Sequence, residues 1–391
     1  MEDWRSAWAL DPDVSYLNHG SFGPAPRVVQ EAQRQWSARL QANPMKLLVR
    51  DREQILDQTL DRLASLLGCK NGDLVPVDNA TVGMNCVART LDLQPEDEIL
   101  LNSHEYGAVQ RIWQQRVSEC GARLTIANLL TPIESAEQIV NTIEAAITPR
   151  TRLIVVSHVT SATATVFPVD AICRMARQHR VPVCIDGPHA VAMRPVALRE
   201  IGCDFYTASC HKWLCAPFGA GFLYVHPRWQ SRIRPAIVSW GGSTSDRPKS
   251  WQDEFFWPGT FDPARFFAIP TAIDFFEQAG WELFRSYTND MVIRGAELFR
   301  ERFGSEPVCP LNRTFLGTMV TLSLPDSITV PETWLGTPHP LQMRLAEKHS
   351  IEVPVFKWNQ RAHIRLSCHL YNRWEEYLKL ADAIDEEIPL L

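Results

Sequence analysis

From Leu74 onward, short uninterrupted apolar runs alternate with helix-like segments: EILLN, RLTIAN, RLIVVSH, VPVCID, DFYTAS and GAGFLYV. Strands this apolar need cover on both faces, and the intervening helices supply it. The alternation predicts an α/β fold built on a mostly parallel sheet. Ahead of it lie an irregular arm to about Pro26 and a helical stretch, RVVQEAQRQWSARL. In a second helix Leu56, Leu60, Leu63 and Leu67 form one apolar face. After about Pro263, AIPTAIDFFEQAGWELFRSY reads as helix, followed by mixed strands and helices through AHIRLSCHLYN. The expected division is an arm at residues 1–25, a large domain at 26–262 and a smaller α+β domain at 263–391.

Composition removes several function classes. A net charge of −6 with a pI near 6.0 argues against a surface that binds nucleic acid. No apolar run approaches the roughly 18 residues of a membrane span. The opening MEDWRSAWALDPDVSYLNHG has no apolar core of a secretory leader. Ten cysteines without a CxxC pair fit reduced thiols in a cytoplasmic protein better than a disulfide frame or a zinc site.

Ligands of parallel sheets sit at the carboxyl ends of the strands. After Val77 comes DNATVGMN, where Asn79, Thr81 and Gly83 form a strand-to-helix turn able to hold a phosphate, or simply a capped helix start. After EILLN, SHEYGAV brings Tyr106 to a sheet edge, as a platform for a flat ring or as plain packing. After RLIVVSH come the hydroxyls of Thr160 and Ser161, each also an ordinary turn residue. Asp186 ends the apolar run VPVCI; it is either a helix cap or a carboxylate that meets a cation or donors. His189 follows three residues later and on its own reads as a structural histidine.

Lys212 lies in DFYTASCHKWLCAPFGAGFLYV, between two core strands and beside Ser209 and His211. A lysine so placed has a lowered pKa and forms a Schiff base with an aldehyde. A carboxylate opposite it can keep a pyridine nitrogen protonated. A phosphate turn, an aromatic platform, a buried carboxylate and such a lysine together point to pyridoxal phosphate.

The ordered set NATVGMN, HEYGAV, DGPHA, SCHKW and IRLSCHLYN resembles the fold-type-I, class V aminotransferase superfamily over essentially the whole chain. The start YLNHGSFG, the HEYGA box and the ending IEVPVF…IRLSCHLYN look most like its isopenicillin-N-epimerase-like branch, which also holds C–S lyases of the hercynylcysteine sulfoxide type. The resemblance implies a seven-stranded type of sheet in the large domain and pyridoxal 5'-phosphate as cofactor. Lys212 would bind the cofactor aldehyde and shuttle protons, and Asp186 would pair with the ring nitrogen. His189 and Ser161 would lie near the ring hydroxyl, Ser161 standing where relatives often have asparagine. Tyr106 would stack on the ring where desulfurases carry histidine. Ala80, Thr81, Ser209 and His211 would hold the phosphate. Thr260 would reach the phosphate of the neighbouring subunit, implying a homodimer. Arg365 would clamp the substrate carboxylate, and Asn18, His19 and Gly20 would close over the substrate.

The expected reaction on an amino-acid substrate is epimerase-like, with C–S lyase or transaminase as alternatives and a non-catalytic protein on the same fold as a remote one. No cysteine occurs within SIEVPVFKWNQRAHI, ahead of Arg365, which disfavours persulfide-type desulfuration. Substrate side-chain selectivity is expected from loops around Trp240, Phe255 and Trp257.

Overall fold

The computed structural model describes residues 4–242, 248–329 and 338–390. Its strands are β1 Ser15–Tyr16, β2 Leu74–Val77, β3 Glu98–Asn102, β4 Arg123–Ala127, β5 Thr151–Ser157 and β6 Val183–Asp186. They continue with β7 Phe205–Ser209, β8 Gly221–Val225, β9 Met319–Ser323, β10 Ile351–Glu352, β11 Val355–Trp358 and β12 Arg361–Ser367. Seven of them form the main sheet, ordered β2-β8-β7-β6-β5-β3-β4. The pairs β3·β4, β3·β5, β5·β6 and β6·β7 are parallel, and β8 alone runs against its neighbours β2 and β7. The fold is therefore α/β with a mostly parallel sheet of seven strands. Tyr106 follows an inner strand, since β3 has partners on both sides. The edge it occupies is the carboxyl rim of the sheet, not its flank.

Helices cover both faces, as uninterrupted apolar strands require. Helix Ala80–Thr90 lies so close to β7 that a Cβ at Gly83 would come within 2.0 Å of Thr207 Oγ1. Leu56, Leu60, Leu63 and Leu67 are all buried, on and just after helix Arg52–Leu66. The helical region after Pro263 comprises three helices, Ala264–Phe267, Ile269–Ala279 and Trp281–Phe303. Gly280, at φ +88°, takes the chain out of helical geometry between the last two.

A second, three-stranded sheet, β11-β12-β9, is antiparallel. The arm is tied to this half of the chain, because β1 pairs in parallel with β10. Trp8 and Leu17 of the arm join the same buried cluster as Phe276, Leu366 and Leu380. Ten cysteines are free thiols, and among the described residues no helix is long and apolar enough to cross a membrane.

Candidate active site

The carboxyl ends of the central strands open into one cavity of about 360 Å³. Asn79, Ala80 and Thr81 reach it from the turn after β2, and Tyr106 from the turn after β3. Ser157, Val159 and Ser161 enter from the end of β5, Asp186 and His189 from the end of β6. Ser209, His211 and Lys212 come from the end of β7, and Arg365 from β12. Gly20, Ser21 and Phe22 of the arm form the remaining wall. A roomier cleft of about 520 Å³, with Val183 and Asp204 in its wall, lies at the amino ends of the strands, away from these residues.

At one end of the cavity the helix Ala80–Thr90 presents its N-terminus. The Asn79 side chain accepts from the Val82 N–H at 3.0 Å, so the capping role is realised. The Ala80 N–H donates to Ser209 Oγ at 3.1 Å, which leaves the Ser209 O–H proton for another acceptor. His211 Nδ1 is buried without a hydrogen-bond partner. A helix start, a hydroxyl and an orphaned imidazole nitrogen make a site for an anion.

At the floor, Lys212 Nζ lies 3.0 Å from His189 Nε2. Burial lowers the lysine pKa and the Arg365 charge lowers it further, while Asp186 opposes them. Burial likewise raises Asp186, against the pull of Lys212. Asp186 is no helix cap, since it ends β6 and is followed by turns. Arg365 is only 5% exposed. Its Nη1 donates to the Ser161 carbonyl at 2.5 Å and its Nη2 to Ser21 Oγ at 3.0 Å, with Nε buried and unpaired.

A model of the aminotransferase class-V family matches residues 16–315. The chain belongs to that family. It is 32% identical over 399 residues to an isopenicillin N epimerase of Streptomyces clavuligerus, covering 98% of each chain. It is 26% identical over 400 residues to a probable chloroplastic L-cysteine desulfhydrase of Arabidopsis thaliana, covering 96% of this chain and 83% of that one. A solved structure of a C-DES mutant, with glycine covalently linked to its PLP cofactor, superposes with a TM-score of 0.83 at 22% identity, covering 98% of each chain. The protein is thus a class V enzyme of the pyridoxal-phosphate type, and the cavity fits that cofactor: an anion end, a buried carboxylate and a lowered-pKa lysine lie within one enclosure.

Three expectations about this family member change. His19, expected to close over the substrate, is fully buried behind Lys212 and outside the cavity wall. Its Nε2–H donates to the Lys212 carbonyl at 3.1 Å and its Nδ1 accepts from the Tyr371 hydroxyl at 2.9 Å. Asn18 also lies off the wall, where its carbonyl accepts from the Ser21 N–H and turns the arm inward. Trp240, Phe255 and Trp257 do not line the cavity either: Trp240 is 94% exposed, Phe255 is buried beside Trp251, and Trp257 lies under the Arg52 guanidinium. The apolar wall comes instead from Phe22, Val109, Val159 and Pro188. Thr160 is a turn residue whose hydroxyl bonds to Thr163 and Thr165, and Thr260 is exposed outside the cavity.

Sequence reasoning missed Glu105. Its Oε1 accepts from the Asn102 side chain at 2.7 Å and the Ser157 N–H at 2.6 Å, and its Oε2 lies 2.9 Å from Ser157 Oγ. Ser157 is in register with Asp186, so the two carboxyls are neighbours. Burial and the Asp186 charge push Glu105 up to about 8. The available signal was its place inside the HEYGA box.

Proposed function

We propose that this class V enzyme removes and returns the Cα proton of an amino-acid substrate, in the manner of an epimerase. One observation carries the reading: Lys212 and Tyr106 enter the same cavity from strands three positions apart in the sheet, with the Arg365 guanidinium in its wall. Full-length identity of 32% to an isopenicillin N epimerase supports it.

The chemistry that pyridoxal phosphate supplies when bound is condensation with an amine and withdrawal of electrons from the bonds at Cα. Ala80, Thr81, Ser209 and His211 would hold the phosphate with backbone N–H, hydroxyl and imidazole groups. Asp186 would keep a proton on the ring nitrogen, His189 and Ser161 would serve the ring hydroxyl, and Tyr106 would offer an aromatic surface. Lys212 would be the amine that holds the cofactor at its aldehyde and, once a substrate amine has displaced it, the base placed to take the Cα proton. Arg365 and the adjoining Gly20 wall orient the substrate carboxylate. Thr260, exposed here, completes the phosphate site of the neighbouring subunit in a homodimer. Ten free thiols support a cytoplasmic setting.

Inversion needs a proton donor away from Lys212. With His19 buried behind the lysine, Tyr106 is the cavity hydroxyl suited to that role. Tyr106→Phe keeps the ring and deletes the hydroxyl. The expected result is about tenfold slower inversion, with Cα–H exchange under retention preserved. Chiral chromatography and proton NMR in deuterated water read the two rates; inversion at the wild-type rate would exclude Tyr106 as the donor.

The loss of His19 from the cavity also favours a second reading, β-elimination from a sulfur-bearing amino acid, because elimination needs no proton returned on the opposite side. Incubation of the holoenzyme with an amino-acid panel in deuterated water separates the two. Deuterium in both antipodes without released sulfide or keto acid supports epimerisation. Sulfide with keto acid in step with substrate loss supports the lyase.

A further inference from the structure

Trp213 follows Lys212 directly, and its side chain is fully buried. The indole N–H donates to His189 Nδ1 at 3.2 Å. An indole nitrogen has a proton and no acceptor lone pair, so Nδ1 must accept. Burial, helped by the Arg365 charge, holds His189 well below its ordinary value, and the ring is neutral. A neutral imidazole whose Nδ1 accepts carries its single proton on Nε2. That Nε2–H faces Lys212 Nζ at 3.0 Å. An ammonium has three donors and no lone pair, so only the free amine can complete this contact.

The indole is held from a second side. His19 lies against it at 4.7 Å between ring centroids and 34° between planes. His19 is itself fixed by the Lys212 carbonyl and the Tyr371 hydroxyl. It also stacks on His369 at 4.3 Å. A Cβ at Gly23 would fall 2.6 Å from both His19 Nε2 and the Lys212 carbonyl, so the arm lies flush against this segment. His19, Cys215 and His369 bring their ligand atoms within 4.8 Å of one another. His19 Nε2, however, already bonds to the Lys212 carbonyl, and His369 Nε2 lies 3.4 Å from Cys215 Sγ.

We infer that Trp213 is a positioning residue: it locks His189 in the Nε2–H tautomer and so keeps Lys212 as the free amine, with the arm residue His19 clamping the indole. Other groups around that amine act separately. Arg365 from β12 opposes its charge and Asp186 from β6 favours it. His211 on the same segment and His19 from the arm are held neutral by burial, and Glu105 beside Asp186 is pushed up to about 8. The inference rests on Lys212 being the reactive amine, but its test reads the amine and the tautomer without turnover.

In the full-length chain freed of cofactor, limiting acetic anhydride acylates Lys212 only as the free amine, and mass spectrometry follows the rate against pH. Trp213→Phe lets His189 shift its proton to Nδ1 and accept from the ammonium. The midpoint should then rise by about one pH unit, roughly tenfold less free amine at a given pH below it. In a His189→Phe background the same substitution should leave the midpoint unmoved. An unshifted midpoint in the single variant, or an equal shift in both backgrounds, overturns the inference, the latter because Trp213 would then act by packing alone. Should Trp213→Phe fail to fold, nitrogen-15 NMR of the wild-type histidine side chains decides. An Nε2–H signal lost in His189→Phe supports the lock, and an Nδ1–H signal overturns it. Cofactor found on a different lysine would sink the proposed function while leaving these outcomes readable.

Discussion

Replacing Lys212 with alanine is expected to slow Cα–H exchange by ~10²–10⁴-fold, the range over which a positioned acid–base group acts. In the proposed mechanism the amine would have two tasks, holding the cofactor and transferring the proton at Cα, and no neighbour is placed to assume either. His189 is held well below its ordinary value and Asp186 faces the floor as a carboxyl group. The fold should tolerate the change, because the Lys212 amine is a desolvated group whose side-chain contact is to His189. Loss of the substrate Cα–H signal in deuterated water, followed by NMR beside the melting temperature, checks both halves. Exchange within tenfold of wild type, in a protein of unchanged melting temperature, would remove Lys212 from the reaction.

Arg365→Lys should raise the apparent KM for amino-acid substrates by roughly 10–150-fold. Lysine keeps the charge but loses the two-pronged contact to a carboxylate, so about 1.5–3 kcal/mol of charge-assisted hydrogen bonding is at stake. The guanidinium is oriented for this by the Ser161 carbonyl and the Ser21 hydroxyl. Neither bond survives in the same geometry on an ammonium. Cofactor affinity should change little, because the proposed phosphate end, with Ala80, Ser209 and His211, is built from other elements. Steady-state kinetics against a cofactor titration separates the effects. An unchanged KM for every substrate, or an equal loss of cofactor affinity, would contradict the assignment.

The sheet was legible because each of its strands is an apolar run, and burial on both faces demands that. Asp186, Ser209 and Lys212 were legible for the same reason: a charged or hydroxyl group at the end of such a run has a ligand to meet or a cost to bear. What stayed hidden depends on contacts between distant segments. His19 and Lys212 are 193 residues apart, and nothing local in YLNHGSFG distinguishes a histidine over a substrate from one behind the lysine. Glu105 looked like one more polar residue of a turn until β5 set Ser157 beside it. The loops around Trp240, Phe255 and Trp257 were expected to set selectivity, whereas Phe22 and Val109 line the cavity through the path of the arm and of helix Gly107–Cys120. Gly280 was read through as helix because apolar spacing continues on either side of it, and only its left-handed backbone marks the break.

The most direct measurement is reduction of the holoenzyme with borohydride, proteolysis, and mass spectrometry of the modified peptide. A lysine flanked by His211 and Trp213, close to Asp186 and with its pKa lowered by burial, predicts a single reduced pyridoxyl adduct on Lys212. An adduct on any other lysine, or none in a protein that binds the cofactor, would contradict it.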